Sequence, residues 1–158
     1  MILRELTPAD EMAFYNMLDR WEGAPGFSIA FGLLDDFDFI SYLSFLTEAK
    51  KNDKPSTTYF AFVEKEIVGK VNIRHSLTDE EFSTGHIGFG VMPLHRGKGF
   101  GHEILRLALI HCRTIGMSRV LLACERSNIA SQKVIQKNGG FLGPQDTSLK
   151  NLRYWISL

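Results

Sequence analysis

A glycine-rich segment with two basic residues spans positions 95–103, between a predicted strand and a predicted helix. Its sequence is His-Arg-Gly-Lys-Gly-Phe-Gly-His-Glu. Because glycine has no Cβ, this loop can turn tightly and direct successive backbone N–H groups at one anion. The following helix begins with unpaired N–H groups at the positive end of its dipole, and Arg96 and Lys98 add two full charges. Such a loop has the chemistry of a phosphate or pyrophosphate site.

The spacing of the glycines excludes two common nucleotide-binding loops. A Walker A loop requires Gly-x4-Gly-Lys-Ser/Thr, but position 92 is methionine and Lys98 is followed by glycine. A dinucleotide-binding fingerprint requires Gly-x-Gly-x-x-Gly, and its last glycine would fall on His102 or Ile104. ATP and NAD binding by these two routes are therefore excluded.

The remaining pattern, Arg-x-x-Gly-x-Gly over 96–101, resembles the acyl-CoA pyrophosphate loop of the GNAT superfamily of N-acetyltransferases. The resemblance extends to the strand at 88–93, the strand at 120–124, and the segment 128–141 with its Asn, Ala and Gly-Phe spacing. Residues 1–56 match only in the order of their elements. The resemblance implies an acetyl-CoA-dependent enzyme in which a neutral primary amine, of a small molecule or a protein, attacks the thioester directly in a ternary complex.

The resemblance also implies which residues bind the cofactor. In the family, the strand before the loop separates from its neighbour, and the pantetheine arm lies in the gap like an added strand. Backbone groups of the strand would bind the arm and the acyl carbonyl, and the pyrophosphate would lie on the N–H groups of residues 96–101. The expected cofactor-binding residues are Phe89, Val91, Met92, Arg96, Gly97, Lys98, Gly99, Phe100, Gly101, Asn128, Ser131 and Lys133.

Some of these features also have purely structural explanations. Gly88 and Gly90 suit close approach of another backbone, but they equally suit ordinary sheet packing. Asn128, which the resemblance places on the pantetheine arm, is also a good helix N-cap, and one side chain can serve both purposes.

The residues that would handle protons depart from familiar family patterns. Many members place a tyrosine general acid seven residues after the helix-start asparagine, and here that position is Ile135. The glutamate base of histone acetyltransferases is likewise missing, with Gly85 and His86 near the corresponding place. We expect His86, which titrates near neutral pH, and Glu125, at the end of the facing strand, to be the catalytic substitutes.

Each substitute has a structural alternative. His86 fits a hydrogen-bonded sheet histidine, and Glu125 fits an ion pair with Arg126 or Arg74. Tyr154 and Ser131 are weaker candidates for the general acid, and a mechanism with only water and backbone groups stays open.

The elements that must position these residues follow from hydrophobic periodicity and from capping and turn residues. Helices are predicted at 7–21, 35–51 and 128–138, and the segment 96–115 opens with glycines and then becomes helical. Strands are predicted at 2–6, 57–63, 67–74, 86–92, 120–124, 141–143 and 152–156. The order is β-α-α-β-β-β-α-β-α-β-β, an α/β fold of the α+β mixed-sheet kind with helices on its faces. With a splayed central sheet this is a GNAT-like fold, and residues 1–158 form a single domain.

The composition is that of an ordinary globular chain, with 44% hydrophobic and 23% charged residues. Its 18 basic and 18 acidic side chains balance, which argues against nucleic acid or an anionic membrane surface as partners. The charge is uneven, because residues 1–66 hold twelve acidic and six basic side chains. This acidic half, with Asp35-Asp36-Phe37-Asp38, suits a cationic acceptor, whereas the glycine loop lies in the basic half.

No leader peptide or run of roughly 20 apolar residues is recognisable, so we expect a cytoplasmic protein. Cys112 and Cys124 lack the spacing of a disulfide framework or a redox motif. The five histidines, all within 75–111, lack known metal-ligand spacings, so no metal is expected. Relatives suggest a homodimer. The alternative function is a non-catalytic module that binds or senses acyl-CoA, because the usual tyrosine is missing.

Overall fold

The computed structural model describes residues 1–21, 38–79, 81–144 and 150–158. The strands are β1 (Ile2–Arg4), β2 (Ser56–Val63), β3 (Glu66–Arg74), β4 (Ile87–Val91), β5 (Arg119–Glu125), β6 (Phe141–Leu142) and β7 (Asn151–Ser157). The helices are α1 (Glu11–Trp21), α2 (Phe39–Ala49), α3 (Phe100–Thr114) and α4 (Ile129–Lys137). The predicted order of elements is confirmed, and with it the mixed α/β architecture.

The glycine loop sets the start of α3. Within the segment 96–115, which opens with glycines, the helix begins at Phe100, because Gly97 and Gly99 have φ angles of 75° and 83°. These values lie outside the right-handed helical region. The loop therefore extends to Gly99.

The strands form two antiparallel sheets, one in the order β1-β2-β3-β4 and the other in the order β5-β7-β6. An isolated bridge between Gly85 and Leu122 joins the start of β4 to β5. Elsewhere in the described residues the two strands share no ladder. This arrangement confirms the expected splay of the central sheet.

Helices cover both faces of the four-stranded sheet. Phe60, Ala61 and Phe62 on β2 alternate between two hydrophobic cores, as successive strand side chains alternate between faces. One core lies under α3 and includes its buried Leu105, and the other lies under α1 and α2 and includes Trp21. β3 and β4 are thereby held between helices, which fixes the strand that precedes the glycine loop.

Candidate active site

β4 and β5 meet at a single point, here called the apex, which consists of Gly85, His86, Leu121 and Leu122. The His86 main-chain N–H donates to the Leu121 carbonyl at 2.7 Å, and the Leu121 N–H donates to His86 Nδ1 at 2.9 Å. The Arg74 guanidinium braces the apex by donating to the Gly85 carbonyl at 2.9 Å. Sequence reasoning missed this role of Arg74, because it depends on a contact between two strands. Beyond the apex, a gap opens between β4 and β5.

Alternate residues of β4 direct their backbone groups into this gap. The Met92 N–H donates to a β3 carbonyl at 3.0 Å, and the His86 carbonyl accepts from a β3 N–H at 2.8 Å. Even-numbered residues of the strand therefore pair with β3, and in an antiparallel ladder the intervening residues direct their N–H and C=O groups to the other side. Phe89 and Val91 are these intervening residues. Their backbone groups are placed as a ligand in the gap would require.

Met92 differs from the other two strand residues predicted to bind the acyl carrier. Its N–H is committed to β3, its carbonyl accepts from the His95 N–H at 2.9 Å, and the residue is only 1% exposed. Met92 therefore anchors the end of β4, with both of its backbone groups hydrogen-bonded within the protein, and its role in binding the cofactor stays a prediction. The sequence could not show which strand residues direct their backbone N–H and C=O groups into the gap, because that depends on the register between β3 and β4.

Residues 96–99 form an exposed loop in front of α3, and Phe100 and Gly101 begin the helix. Gly97 and Gly99 both have positive φ, and apart from the adjoining residues no described residue has an atom within 4 Å of a Cβ built on either one. Positive φ at alternate residues is the backbone form of anion-binding nests, and the first N–H groups of α3 lack intrahelical acceptors. Arg96 ties this loop to β4, since its Nε donates to the Val91 carbonyl at 3.1 Å. The loop has the geometry of an open anion cradle.

α4 begins at a capping asparagine, as the sequence predicts. Asn128 Oδ1 accepts a hydrogen bond from the Ser131 N–H at 3.0 Å, and Lys133 is exposed on the next turn. Ile135, at the position of the usual tyrosine, is 1% exposed and belongs to the core. The tyrosine position is therefore a packing position in this chain.

Asn138, at the other end of α4, clamps this helix to the start of α3. Its Nδ2 lies 2.9 Å from His102 Nδ1 and donates to the Val134 carbonyl at 2.9 Å. Gly101 is close to the same junction, where a Cβ would lie 3.3 Å from Val134 Cγ2. Sequence reasoning treated Asn138 only as a helix stop, so this support of the glycine loop was missed.

The two side chains expected to handle protons lie apart. His86 contacts β5 at Leu121, whereas Glu125 is four residues further along that strand. At a rise of about 3.3 Å per residue, this corresponds to roughly 13 Å. Glu125 is 54% exposed and pairs with Lys150 Nζ at 3.2 Å, where the sequence suggested an arginine partner. One proton cannot be shared by both groups, and their catalytic roles stay predictions.

Of the weaker acid candidates, Tyr154 is buried and Ser131 is half-buried. The Tyr154 hydroxyl donates to Gln132 Oε1 at 3.4 Å, and burial raises the pKa of this tyrosine. Ser131 hydrogen-bonds the Cys124 thiol, whose pKa burial raises. Burial also raises the pKa of Cys112 to about 12, so both cysteines are protonated thiols at neutral pH.

The splayed strands, the anion cradle and the capped α4 together define the class of protein. Residues 1–140 match the sequence model of the acetyltransferase (GNAT) domain. The chain therefore belongs to the GNAT acetyltransferase family, a family of acyltransferase enzymes, and the resemblance found in the sequence is confirmed.

The sequence identity of the chain to individual proteins is low. The chain is 30% identical to streptothricin acetyltransferase from Escherichia coli over 106 residues, which cover 67% of this chain and 59% of that protein. The ribosomal-protein-alanine N-acetyltransferase of Brucella melitensis is 18% identical over the full length of both chains, with a TM-score of 0.69. RimJ of Mycobacterium smegmatis, solved with a CoA-disulfide, is 18% identical over 98% of this chain and 80% of its own, with a TM-score of 0.73. The two structures establish the likeness of the fold.

Among the residues that the structure describes, no helix has the length and apolar character needed to cross a membrane.

Proposed function

We propose that this protein transfers the acetyl group of acetyl-CoA to a primary amine of a small molecule or a protein, by direct attack in a ternary complex. The observation that carries the proposal is the continuous path from the apex, along the gap edge of β4, to the cradle at 96–101. An extended arm can pair with Phe89 and Val91 in the gap while a pyrophosphate is bound by the loop N–H groups. The gap edge suits the pantetheine arm of acetyl-CoA, and the loop suits its pyrophosphate.

The remaining residues of the proposed CoA site add specific contacts. Arg96 and Lys98 supply charge beside the pyrophosphate, and the amide nitrogen of Asn128 can donate to the pantetheine arm while its oxygen caps α4. Ser131 on the first turn of α4 and Lys133 on the next turn are proposed to contact the arm and the nucleotide phosphates. Met92 keeps the end of β4 in place for these contacts, through the hydrogen bonds described above.

The proposed reaction has two bond changes. The lone pair of the neutral amine attacks the thioester carbonyl carbon, the C–S bond breaks, and the CoA thiolate leaves as the amide forms. A backbone N–H of Phe89 or Val91 that faces the gap would stabilise the negative charge on the carbonyl oxygen. The proton released by the amine passes to a base or to water, and the thiolate takes up a proton in turn.

Glu125 is the proposed proton acceptor, and its removal gives a direct test. Glu125→Gln preserves the size of the side chain but cannot take up a proton. We expect turnover to fall by about 10²-fold while acetyl-CoA affinity stays unchanged. The measurements are kcat and KM of CoA thiol release, together with an acetyl-CoA titration.

A matched control for this variant is Glu48→Gln on α2. Glu48 is another exposed carboxylate paired with a lysine, at 3.1 Å from Lys51 Nζ, compared with 3.2 Å for the Glu125 pair. The control should have wild-type turnover. If Glu125→Gln also has wild-type turnover, the proton leaves by another route and Glu125 has no catalytic role.

The proposed acceptor is an amine of a small molecule or a peptide. Support comes from the relatives, whose names specify streptothricin and a ribosomal-protein alanine as acceptors. The acidic run 35–38 adds little, because Asp38 caps α2 by accepting from the Ser41 N–H at 2.9 Å and residues 35–37 lie outside the described residues. A cytoplasmic location and a homodimer stay predictions from the sequence.

A thiol-release assay separates the enzyme from the sensing module. The protein would be incubated with acetyl-CoA and one of several amines: polyamines, amino sugars, aminoglycosides or peptides with free N-termini. The amount of CoA released would then be compared with the amount of acetylated product. We expect one class of amine to give equal amounts of released CoA and acetylated product. Acetyl-CoA binding without release for any of these amines would favour the non-catalytic alternative.

A further inference from the structure

His86 contributes a side-chain atom where a regular β-ladder would use a main-chain atom. In an antiparallel hydrogen-bonded pair, two residues exchange two bonds between their N–H and C=O groups. His86 donates its main-chain N–H to the Leu121 carbonyl at 2.7 Å, but the returning Leu121 N–H is accepted by the imidazole Nδ1 at 2.9 Å. The main-chain carbonyl of His86 is instead paired with β3, at 2.8 Å from the Arg74 nitrogen.

These hydrogen bonds connect His86 to both β3 and β5. Its carbonyl extends the ladder to β3, and its N–H and ring hold β5 at one residue. Both bonds go to Leu121, and apart from the Gly85–Leu122 bridge the described residues of β4 and β5 share no ladder. The strands are therefore joined at the apex and are able to separate beyond it.

The same hydrogen bond fixes the state of the imidazole. A nitrogen that accepts from an N–H carries no proton, so a neutral His86 has its proton on Nε2. Neither nitrogen of this tautomer is then available to take a proton from a substrate without breaking the bond to Leu121. The half-buried ring lies near Trp155, with ring centroids 6.5 Å apart.

We infer that His86 is a positioning residue that closes the apex and holds open the gap between β4 and β5 for the acyl carrier. The inference rests on the proposed function for the identity of the carrier, and it assigns the histidine a role other than the base expected from the sequence. Arg74, on the neighbouring strand, supports the same point through the Gly85 carbonyl.

Three substitutions at His86 distinguish a positioning residue from a base. In His86→Asn, the amide Oδ1 replaces the Nδ1 acceptor, whereas the longer side chain of His86→Gln places its oxygen near the former Nε2 position. His86→Ala has no acceptor. We expect acetyl-CoA affinity to stay within about threefold of wild type for Asn, and to fall about tenfold for Gln and Ala, the loss typical of one hydrogen bond to a buried group.

The catalytic alternative predicts a different pattern. A missing base would lower kcat to a similar extent in all three variants and leave acetyl-CoA affinity unchanged, and that result would overturn the inference. If His86→Asn keeps the affinity and kcat that His86→Gln and His86→Ala lose, His86 cannot act as a base, because the Asn amide cannot take up a proton.

Amide hydrogen exchange provides a readout that does not depend on acetyl-CoA. In the ligand-free protein, the Leu121 amide should be protected in wild type and in His86→Asn, and should exchange at least about tenfold faster in His86→Ala. Unchanged protection of Leu121 in His86→Ala would overturn the inference. If wild type shows this protection but binds no acetyl-CoA, the proposed function fails while the role of His86 at the apex stands.

The apex should also respond to pH. Burial lowers the pKa of His86 from its ordinary value of 6.5, and the positive charges of Arg74 on β3 and Arg119 on β5 act in the same direction, whereas the backbone hydrogen bond with Leu121 and the carboxylate of Glu81 oppose the shift. Because the folded pKa is below the unfolded one, the stabilisation is complete above the unfolded pKa of about 6.5 and is lost as pH falls through the folded pKa.

Wild-type Leu121 protection and acetyl-CoA affinity should therefore decline on acidification below pH 6.5. His86→Asn should not show this decline, because its amide does not titrate. Nitrogen-15 NMR of the wild-type ring supplies the final check, since we expect the Nε2–H tautomer at neutral pH. A ring protonated on Nδ1 at neutral pH, or an equal decline in the Asn variant, would contradict the proposed pH response.

Discussion

Gly99→Val is expected to weaken acetyl-CoA binding by at least tenfold, about 1.4 kcal/mol. Gly99 is the residue before α3, with φ at 83° and no described atom within 4 Å of the space that a Cβ would occupy. In the proposed site, this space belongs to the pyrophosphate. A branched side chain would fill it and would also shift the backbone away from positive φ, which moves the N–H groups of the cradle. Isothermal titration with acetyl-CoA measures the loss.

Valine at a position with positive φ strains the backbone wherever that position lies, so Gly116→Val in the same chain is the control for strain. Gly116 lies just beyond the other end of α3, with φ at 84° and equally open space around its Cβ position. Both variants should lose a similar free energy of unfolding, about 1–3 kcal/mol for a residue forced into a disfavoured conformation. Only Gly99→Val should lose affinity for acetyl-CoA. Equal affinities for the two variants would remove the loop from the proposed binding site.

The second large effect is expected for Gly85→Ala, at the apex. Gly85 has φ at 79°, and a Cβ there would lie 2.5 Å from the Leu121 carbonyl oxygen. A backbone atom cannot move away as a flexible side chain can, so strand β5 must shift. We expect the free energy of unfolding to fall by about 2–4 kcal/mol, from strain at positive φ together with the steric clash. Denaturant unfolding followed by fluorescence measures the change.

Gly88→Ala, three residues further along the chain on β4, is the matched substitution. Gly88 has no described atom within 4 Å of its Cβ position and does not have positive φ. Its effect on unfolding should therefore be below about 0.5 kcal/mol, as at other unstrained surface positions. Equal destabilisation by the two alanines would mean that the close contact at the apex has no special importance for stability.

The glycine loop and the order of elements were predictable from the sequence for local reasons. Three glycines beside two bases identify the loop without any tertiary contact, and apolar periodicity identifies strands such as 57–63 and helices such as 96–115. Asn128 is a further local signal, since its side chain caps the turn that follows. Such features depend on residues within about four positions of each other, which is the range over which capping and helical periodicity act.

The geometry of the site was not predictable to the same degree, because it depends on contacts between distant segments. Val91 and Met92 are adjacent and apolar, yet only the register with β3 shows that one directs its backbone into the gap and the other does not. The clamp from Asn138 to His102 and the ion pair between Glu125 and Lys150 likewise join different elements. Single-residue chemistry suggested that His86 was a base, whereas its Nδ1 is bonded to Leu121.

Calorimetric titration of the wild-type chain with acetyl-CoA tests the central claim most directly. The apex, the gap edge of β4 and the cradle at 96–101 together predict binding of one acetyl-CoA per chain, and weaker binding to the Gly99→Val variant. CoA without its acetyl group should also bind, because the arm and the pyrophosphate make most of the proposed contacts. A well-folded wild-type protein that binds neither compound at millimolar concentration would contradict the account.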